Sequence, residues 1–214
     1  ESELAMTENL QPSIMATSVA IIAALKESGK IDEHSFHCVA GHSLGEYSAL
    51  VANKSLNFLD SVELLKIRSK AMQESMPVGT GGMAAIIGGT EKEIANTISD
   101  INLDEKVFIA NDNAVGQVVI SGEIEGIDYI IANSKKLGLK KVIKLSVSAP
   151  FHTDFMKKAS MIMQNEIDKF IFKAFSAPLY SNVTSLPCDE MEIKQILVDQ
   201  IVKKVRWREI IINM

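Results

Sequence analysis

One short segment, residues 39–50, constrains the fold of this chain more than any other. It predicts the end of a buried strand, a sharp turn with Ser43 at its tip, and the start of a helix. Gly41 and Gly45 stand two residues to either side of the serine, where the strand and helix backbones must pass closely. Such a turn exposes the Ser43 hydroxyl and directs the Leu44 amide toward negative charge on an attacked carbonyl. We therefore predict that Ser43 is a nucleophile; the alternative is a chance G-x-S-x-G match in which the serine only caps a helix.

Composition narrows the classes of function. With 214 residues, 47% of them hydrophobic and 23% charged, the chain is long enough to bury a sizeable core in one domain or two small ones. A net charge of −5 argues against nucleic acid as a partner. Cys38, Cys188 and the four histidines lack the spacing of a disulfide framework or a zinc site, so we predict no metal. No apolar run is long enough to span a bilayer and no export leader opens the sequence, so we expect no membrane association and a cytoplasmic location.

A predicted amphipathic helix over residues 59–76, capped by Asp60, carries one charge on its apolar side. At 100° per residue, Arg68 falls between Ala71 and Met72, while the lysines occupy the opposite face. A permanently charged guanidinium in such a place needs an anion. Two partners remain open: a carboxylate of the protein itself, or the free carboxylate of a bound acyl group.

His152 is the candidate general base. Pro150 ends the preceding strand, and Thr153 or Asp154 is expected to cap a helix that runs to about residue 170. The positive end of that helix disfavours an imidazolium, so we expect His152 to be neutral at pH 7 and able to accept a proton. The alternative is a surface or packing histidine, which is the commoner case in a loop.

The apolar pattern changes along the chain. A helix over residues 13–25, begun by Gln11-Pro12, is apolar nearly all round, so we expect it to be buried against the strand before Ser43. After Gly79–Gly82, which we interpret as a flexible entry, the predicted order becomes βαββαβ. Those elements are strands over 83–87, 106–110, 117–120 and 140–147 and helices over 90–101 and 123–137.

This order predicts an α/β fold with two parts. Residues 1–78 and 148–214 are expected to form an α/β-hydrolase-like large subdomain. Residues 79–147 are expected to form a ferredoxin-like small subdomain inserted into it. No nucleotide-binding fingerprint occurs at a strand-to-helix junction, so we predict no nucleotide cofactor.

Several segments together carry a resemblance to a known family. The Gln11-Pro12 pair, the run Gly41-His42-Ser43-Leu44-Gly45-Glu46-Tyr47-Ser48-Ala49, the Ile67-Arg68-Ser69 segment, the stretch 111–122 and Phe151-His152 occur in this order. They resemble the malonyl-CoA:acyl carrier protein transacylases, the acyltransferases of fatty acid synthesis. The resemblance covers nearly the whole chain.

That resemblance implies a role for each matching residue. Ser43 would attack the thioester of malonyl-CoA, His152 would act as the base, and the Leu44 N–H would stabilise the oxyanion. The malonyl group would then pass from Ser43 to the phosphopantetheine thiol of acyl carrier protein, with no cofactor beyond the coenzyme A of substrate and product. The implied substrate-binding residues are Arg68, whose guanidinium would fork onto the malonyl carboxylate, together with Gln11, His42, Met72, Asn111, Asn113, Phe151 and Asn182.

The resemblance also implies that parts of the family fold are missing. The family begins with a strand and a Gly-Gln-Gly turn, which do not precede Glu1 here, and Gln11 is not that glutamine. It also implies a segment beyond Met214 whose backbone carbonyl orients the catalytic histidine. We therefore expect these residues alone to show little activity.

The expected partners are malonyl-CoA and acyl carrier protein, which is acidic in this family, and we expect a monomer. Two basic clusters are candidate docking surfaces, although a solvated face explains any one of their lysines equally well. They are Lys135, Lys136, Lys140, Lys141 and Lys144, and Lys203, Lys204, Arg206 and Arg208.

Two other functions remain open from the sequence. A serine esterase would use the same turn, with Arg68 structural and a downstream acid holding His152. A non-catalytic carrier-binding module would keep the fold and form no acyl-serine.

Overall fold

The structure is a computed structural model that describes residues 7–32, 34–147 and 149–214. These residues contain two sheets. Single 3-10 turns at Asp154–Met156 and Ile167–Lys169 flank the helix over Lys157–Glu166. In chain order the elements are α1 (Thr7–Glu27), β1 (Val39–Ala40), α2 (Gly45–Ala52), α3 (Phe58–Gln73), β2 (Gly81–Ile87), α4 (Glu91–Asp100), β3 (Val107–Ala114), β4 (Gln117–Glu123), α5 (Ile124–Asn133), β5 (Lys141–Lys144), α6 (Lys157–Glu166), β6 (Leu179–Tyr180), α7 (Ile193–Asp199) and α8 (Trp207–Asn213).

The smaller sheet leads directly into the turn that carries Ser43. β1 and β6 pair in parallel, with Val39 opposite Leu179 and Ala40 opposite Tyr180. The strand predicted before the turn is therefore present, but it is only two residues long. α1, α2, α3, α6 and α7 share one apolar core with this sheet. Fully buried members of this core include Met15, Tyr47, Leu50, Leu64, Leu65, Met156 and Leu197.

The larger sheet has four strands in the order β3-β4-β2-β5, all antiparallel to their neighbours. The elements β2, α4, β3, β4, α5 and β5 follow one another in the predicted βαββαβ order. A capping box between Thr90 and Glu93 begins α4. Isoleucines of both helices and of the sheet form a second core, with Ile86, Ile94, Ile120 and Ile127 at its centre.

Backbone hydrogen bonds join β3 to the segment before α8. The Asp112 N–H donates to the Val205 carbonyl over 2.9 Å, and the Val205 N–H donates to the Ala110 carbonyl over 2.8 Å. The Arg208 guanidinium also pairs with the buried Asp112 carboxylate. These contacts join β3 to α8, and His42 Nε2, next to Ser43, lies 2.8 Å from Asn113 Oδ1 near the end of the same strand.

The first helix differs from its prediction in both extent and burial. α1 is already helical at Thr7, the first described residue, so Gln11-Pro12 lies inside it and does not begin it. Only Gln11 and Met15 are buried, whereas Ile14 and Ile21 are 43% and 57% exposed. α1 uses one face against α2 and α3, and its opposite apolar face is uncovered in the described part of the chain.

Two local predictions are also wrong. Asn57, not Asp60, caps α3: the Asn57 side chain accepts the Asp60 N–H. Gly81 and Gly82 are not a flexible entry, because both are buried residues of β2. A Cβ at Gly81 would lie 2.4 Å from the Pro150 ring, so this glycine permits close packing. The predicted subdomain boundary at Ser148 and residues 1–6 lie outside the described residues.

No helix among the described residues is both long and apolar enough to cross a membrane.

Candidate active site

The turn between β1 and α2 holds Ser43 in a left-handed backbone conformation, with φ 53°. Few non-glycine residues adopt this conformation, and it is typical of a serine held at the tip of a strand-to-helix turn. A Cβ at Gly41 would lie 1.8 Å from the Gly45 carbonyl oxygen, so only glycine fits at Gly41. A Cβ at Gly45 would meet no atom within 4 Å. The prediction that both positions need glycine for close packing is therefore confirmed at Gly41 and wrong at Gly45.

His152 contacts the Ser43 hydroxyl directly, with 2.8 Å between His152 Nε2 and Ser43 Oγ. The other ring nitrogen, Nδ1, lies 2.8 Å from the Gln200 backbone carbonyl, which can only accept. Nδ1 must therefore carry the proton, and Nε2 is left to accept one from Ser43. The expected orienting carbonyl is thus within the chain at Gln200, and the prediction that it lies beyond Met214 is wrong.

The neutral state predicted for His152 agrees with its surroundings, but the main cause is different. Burial lowers the pKa of His152 to about 3, with the Arg68 and His42 charges acting in the same direction. The backbone carbonyl of Gln200 opposes that shift without overcoming it. His152 is consequently a neutral proton acceptor over the whole physiological range.

Asn182 holds the backbone of the turn on both sides of its tip. Its Oδ1 accepts the Ser43 N–H over 2.7 Å, and its Nδ2 donates to the Gly41 carbonyl over 2.7 Å. The Asn182 backbone N–H donates in turn to Glu46 Oε1 over 2.9 Å. Asn182 was predicted to bind substrate; in the structure its side chain supports the nucleophile turn.

Arg68 lies on the apolar side of α3, as predicted, and is 1% exposed. Its guanidinium donates to Gln11 Oε1 over 2.5 Å, to Gln200 Oε1 over 2.8 Å and to Ser43 Oγ over 3.0 Å. Its Nε has no hydrogen-bond partner in the described part of the chain. The guanidinium is therefore held by neutral oxygens next to the nucleophile.

Sequence reasoning missed two residues of this network, Glu46 and Gln200. Both are fully buried. The Glu46 carboxylate accepts from the Gln200 side chain, and Gln200 Nε2 also donates to the Ser43 carbonyl over 3.0 Å. Burial raises the pKa of Glu46 to about 7. An acidic residue in the first turn of the otherwise apolar α2 was a signal for Glu46; no local pattern marks Gln200.

The other predicted residues lie at different distances from the serine. His42 Nε2 lies 2.8 Å from Asn113 Oδ1, the His42 ring packs edge-on against Trp207, and burial lowers the pKa of His42. Met72 is buried behind Gln11, whose amide lies 4.0 Å from the sulfur. Leu44 is the N-cap residue of α2; the Gly45 and Glu46 N–H groups donate to the His42 and Ser43 carbonyls, whereas the Leu44 N–H has no backbone acceptor among the described residues. Phe151 packs against the core around Ser43 and against a small cluster on the larger sheet that includes Met83 and Ala110. Neither Phe151 nor Asn111 in β3 hydrogen-bonds to Ser43 among the described residues.

Ser43 lies on a strand-to-helix turn, hydrogen-bonded to the neutral His152 ring and beside the N-terminus of α2. This is the geometry used by serine enzymes of the acyl-transfer class. The chain belongs to the acyl transferase domain family, whose sequence model matches residues 1–214.

Individual relatives agree with this assignment. The chain is 39% identical to a malonyl CoA-acyl carrier protein transacylase of Bacillus subtilis (strain 168), over 97% of this chain and 65% of the relative. It superposes on an acyl-carrier-protein-S-malonyltransferase from Bartonella henselae with a TM-score of 0.90 and 40% identity, covering 97% and 67% of the two chains. It also matches a malonyl-transacylase solved in complex with its type II PKS acyl-carrier protein, with a TM-score of 0.89, 35% identity and coverages of 97% and 66%. The chain thus spans less than two thirds of the Bacillus relative.

Proposed function

We propose that the natural protein carrying this sequence transfers a malonyl group from malonyl-CoA to the phosphopantetheine thiol of acyl carrier protein. The observation that carries this proposal is the 3.0 Å contact between the buried Arg68 guanidinium and the Ser43 hydroxyl. A permanent positive charge this close to the nucleophile suits an acyl group whose free carboxylate follows its carbonyl after one CH2 group. Malonyl has that form, and acetyl lacks the carboxylate.

In the first half-reaction, Ser43 Oγ attacks the thioester carbonyl while its proton passes to His152 Nε2. The Leu44 N–H stabilises the oxyanion of the tetrahedral intermediate. The carbon–sulfur bond then breaks, and the departing coenzyme A thiolate takes the proton from His152. The product is malonyl-Ser43, with the malonyl carboxylate paired to Arg68.

The second half-reaction reverses these roles with a different thiol. The phosphopantetheine thiol of the carrier gives its proton to His152 Nε2 and attacks the malonyl ester. The bond to Ser43 Oγ breaks, and Oγ recovers the proton from His152. The neutral state of His152 serves both halves, because the residue must accept a proton at the start of each.

The geometry favours transfer over the two alternative functions. An esterase for neutral esters would gain nothing from a buried guanidinium 3.0 Å from its nucleophile. In the described chain the group that orients His152 is the Gln200 carbonyl, not the acid that the esterase alternative requires. A non-catalytic carrier-binding module would have no need for a hydrogen-bonded pair of Ser43 and His152.

We also propose the finer domain organisation. Residues 1–78 and 148–214 form an α/β-hydrolase-like large subdomain, and residues 79–147 form a ferredoxin-like small subdomain. The strand order β3-β4-β2-β5 and the βαββαβ sequence of elements support the second part. The two-stranded parallel sheet, the uncovered apolar face of α1 and the partial coverage of the relatives support a large subdomain that is incomplete in this chain.

Acyl carrier protein is the proposed protein partner, and one relative was solved with such a carrier. The two lysine- and arginine-rich clusters named above are the candidate docking surfaces. Within the second cluster Lys204, Arg206 and Arg208 are paired with Glu91, Glu209 and Asp112. In the first cluster the described ion pairs include only that of Lys144 with Asp128, which makes the first cluster the better candidate. A monomer without a cofactor, located in the cytoplasm, completes the proposal.

Loading of the natural protein with malonyl-CoA or acetyl-CoA, followed by intact-mass spectrometry, tests the substrate class. The wild type should take up malonyl faster than acetyl, and Arg68→Ala should lose that preference. Lys70→Ala, which removes an exposed charge from the same helix, is the matched control and should keep it. Equal preference in the wild type and in Arg68→Ala would overturn the assignment of Arg68 to the malonyl carboxylate.

A further inference from the structure

The Glu46 carboxylate is buried near Arg68 without contacting it directly. Its influence reaches the arginine through one side chain, since Gln200 Nε2 donates to Glu46 while Gln200 Oε1 accepts from Arg68. Glu46 and Gln200 are both 0% exposed, so this chain of groups is shielded from water. The charge that balances Arg68 therefore lies one amide away from it.

We propose that Glu46 is a positioning residue for diacid specificity. Glu46 fixes the Gln200 amide so that a neutral oxygen holds Arg68. The charge of Arg68 then stays available for the carboxylate of the acyl group. This inference rests on the proposed function, in which Arg68 receives the malonyl carboxylate. A carboxylate bonded directly to Arg68 would compete with the substrate for the same donors. An amide oxygen holds the guanidinium in place and leaves its charge unneutralised.

The direction of each hydrogen bond gives Glu46 its part in this arrangement. Both of its neighbours donate: the Asn182 backbone N–H to Oε1 and the Gln200 Nε2 to Oε2. An ionised carboxylate accepts on both sides, whereas a glutamine at this position would present an NH2 group to one of the two donors. With Nε2 drawn to Glu46 and to the Ser43 carbonyl, the Gln200 amide must turn Oε1 toward Arg68.

The same two donors connect the acyl-carboxylate site to the nucleophile. Asn182 also accepts the Ser43 N–H, and Gln200 also supplies the backbone carbonyl that orients His152. Glu46 thus accepts from one residue that supports Ser43, Asn182, and from one that supports Arg68, Gln200. Loss of its charge should disturb malonyl selection more than the chemistry shared by all acyl groups.

A charge-swap variant, Glu46→Gln with Gln200→Glu, tests the proposal in the natural protein. This variant keeps the amino-acid composition and the net charge, but it places the carboxylate at position 200, in direct contact with Arg68. The readout is the ratio of the rate constants for loading Ser43 from malonyl-CoA and from acetyl-CoA, followed by intact mass at about pH 8, where most Glu46 is ionised despite its raised pKa. A general structural defect lowers both rates together and leaves this ratio unchanged, so the ratio reports on Arg68.

We expect the ratio of malonyl to acetyl loading to fall at least tenfold in the swap variant. The ratio should also fall in Glu46→Gln alone, so the proposal can still be tested if the double variant does not fold. Glu63→Gln, an exposed change of equal charge on α3, should keep the wild-type ratio. A wild-type ratio in either Glu46 variant, with Arg68→Ala still losing its malonyl preference, would overturn the proposal for Glu46 alone. No malonyl preference in the wild type would overturn the proposed function as well.

Discussion

The protonation state of His152 gives a quantitative prediction for acidic pH. An ordinary histidine with a pKa near 6.5 is about 3% neutral at pH 5, so a reaction that needs the neutral ring slows roughly thirtyfold between pH 8 and pH 5. Burial and the Arg68 charge lower the pKa of His152 to about 3, so nearly all of it stays neutral at pH 5. The base-assisted step at Ser43 should therefore be almost independent of pH over this range.

A fluorophosphonate reagent provides the assay, because it modifies a nucleophilic serine and carries no carboxylate for Arg68. The rate of Ser43 modification is followed by intact mass from pH 5 to pH 8, with Ser43→Ala as the control for reaction elsewhere. The depressed pKa of His152 also destabilises the folded state as pH falls below 6.5, by about 2 kcal/mol at pH 5. Circular dichroism at each pH therefore verifies that the protein is folded. A fall of about thirtyfold with a midpoint near pH 6.5 would show that His152 titrates as an ordinary histidine, contrary to this prediction.

Three further predictions concern the residues around the turn. Gly41→Ala should lower the free energy of unfolding by more than about 3 kcal/mol because of its clash with Gly45, while Gly45→Ala should change it by less than about 1 kcal/mol; equal urea midpoints would contradict this. Asn182→Ala should cost about 1–3 kcal/mol in urea denaturation, since it leaves the Ser43 N–H without its acceptor, and a neutral result would show that this bond is replaced. Burial raises the pKa of Glu46 to about 7, so the neutral carboxyl favours the folded state below pH 4.5 and this stabilisation is lost as pH rises through 7. The free energy of unfolding of the wild type should fall by about 3 kcal/mol over that range relative to Glu46→Gln. Parallel pH profiles of the two proteins would exclude a raised pKa.

Local patterns predicted the parts of the site that depend on neighbouring residues. The turn at Ser43 follows from two glycines between an apolar run and a helix, which the structure reproduces. The helical period placed Arg68 on a buried face, where it lies at 1% exposure. The order of strands and helices after Gly79 also follows from local periodicity, because each element has its own apolar repeat.

Contacts between distant segments explain what the sequence did not reveal. Gln200 is 48 residues from His152 and 157 from Ser43, and an isolated glutamine has no pattern that indicates such partners. Periodicity identified α1 as apolar but did not tell whether a neighbour covers its outer face. Gly81 looked like a flexible turn residue because its close contact with Pro150 depends on a segment about seventy residues later.

In the proposed function, Ser43 carries the malonyl group between two thiols. The most direct measurement is to load the natural protein with malonyl-CoA, map the modified peptide by mass spectrometry, and then add phosphopantetheine-bearing acyl carrier protein. We expect a malonyl ester on Ser43, absent in Ser43→Ala, that disappears as malonyl-carrier forms. A malonyl group on another residue, or a malonyl-Ser43 that only hydrolyses in the presence of the carrier, would contradict it.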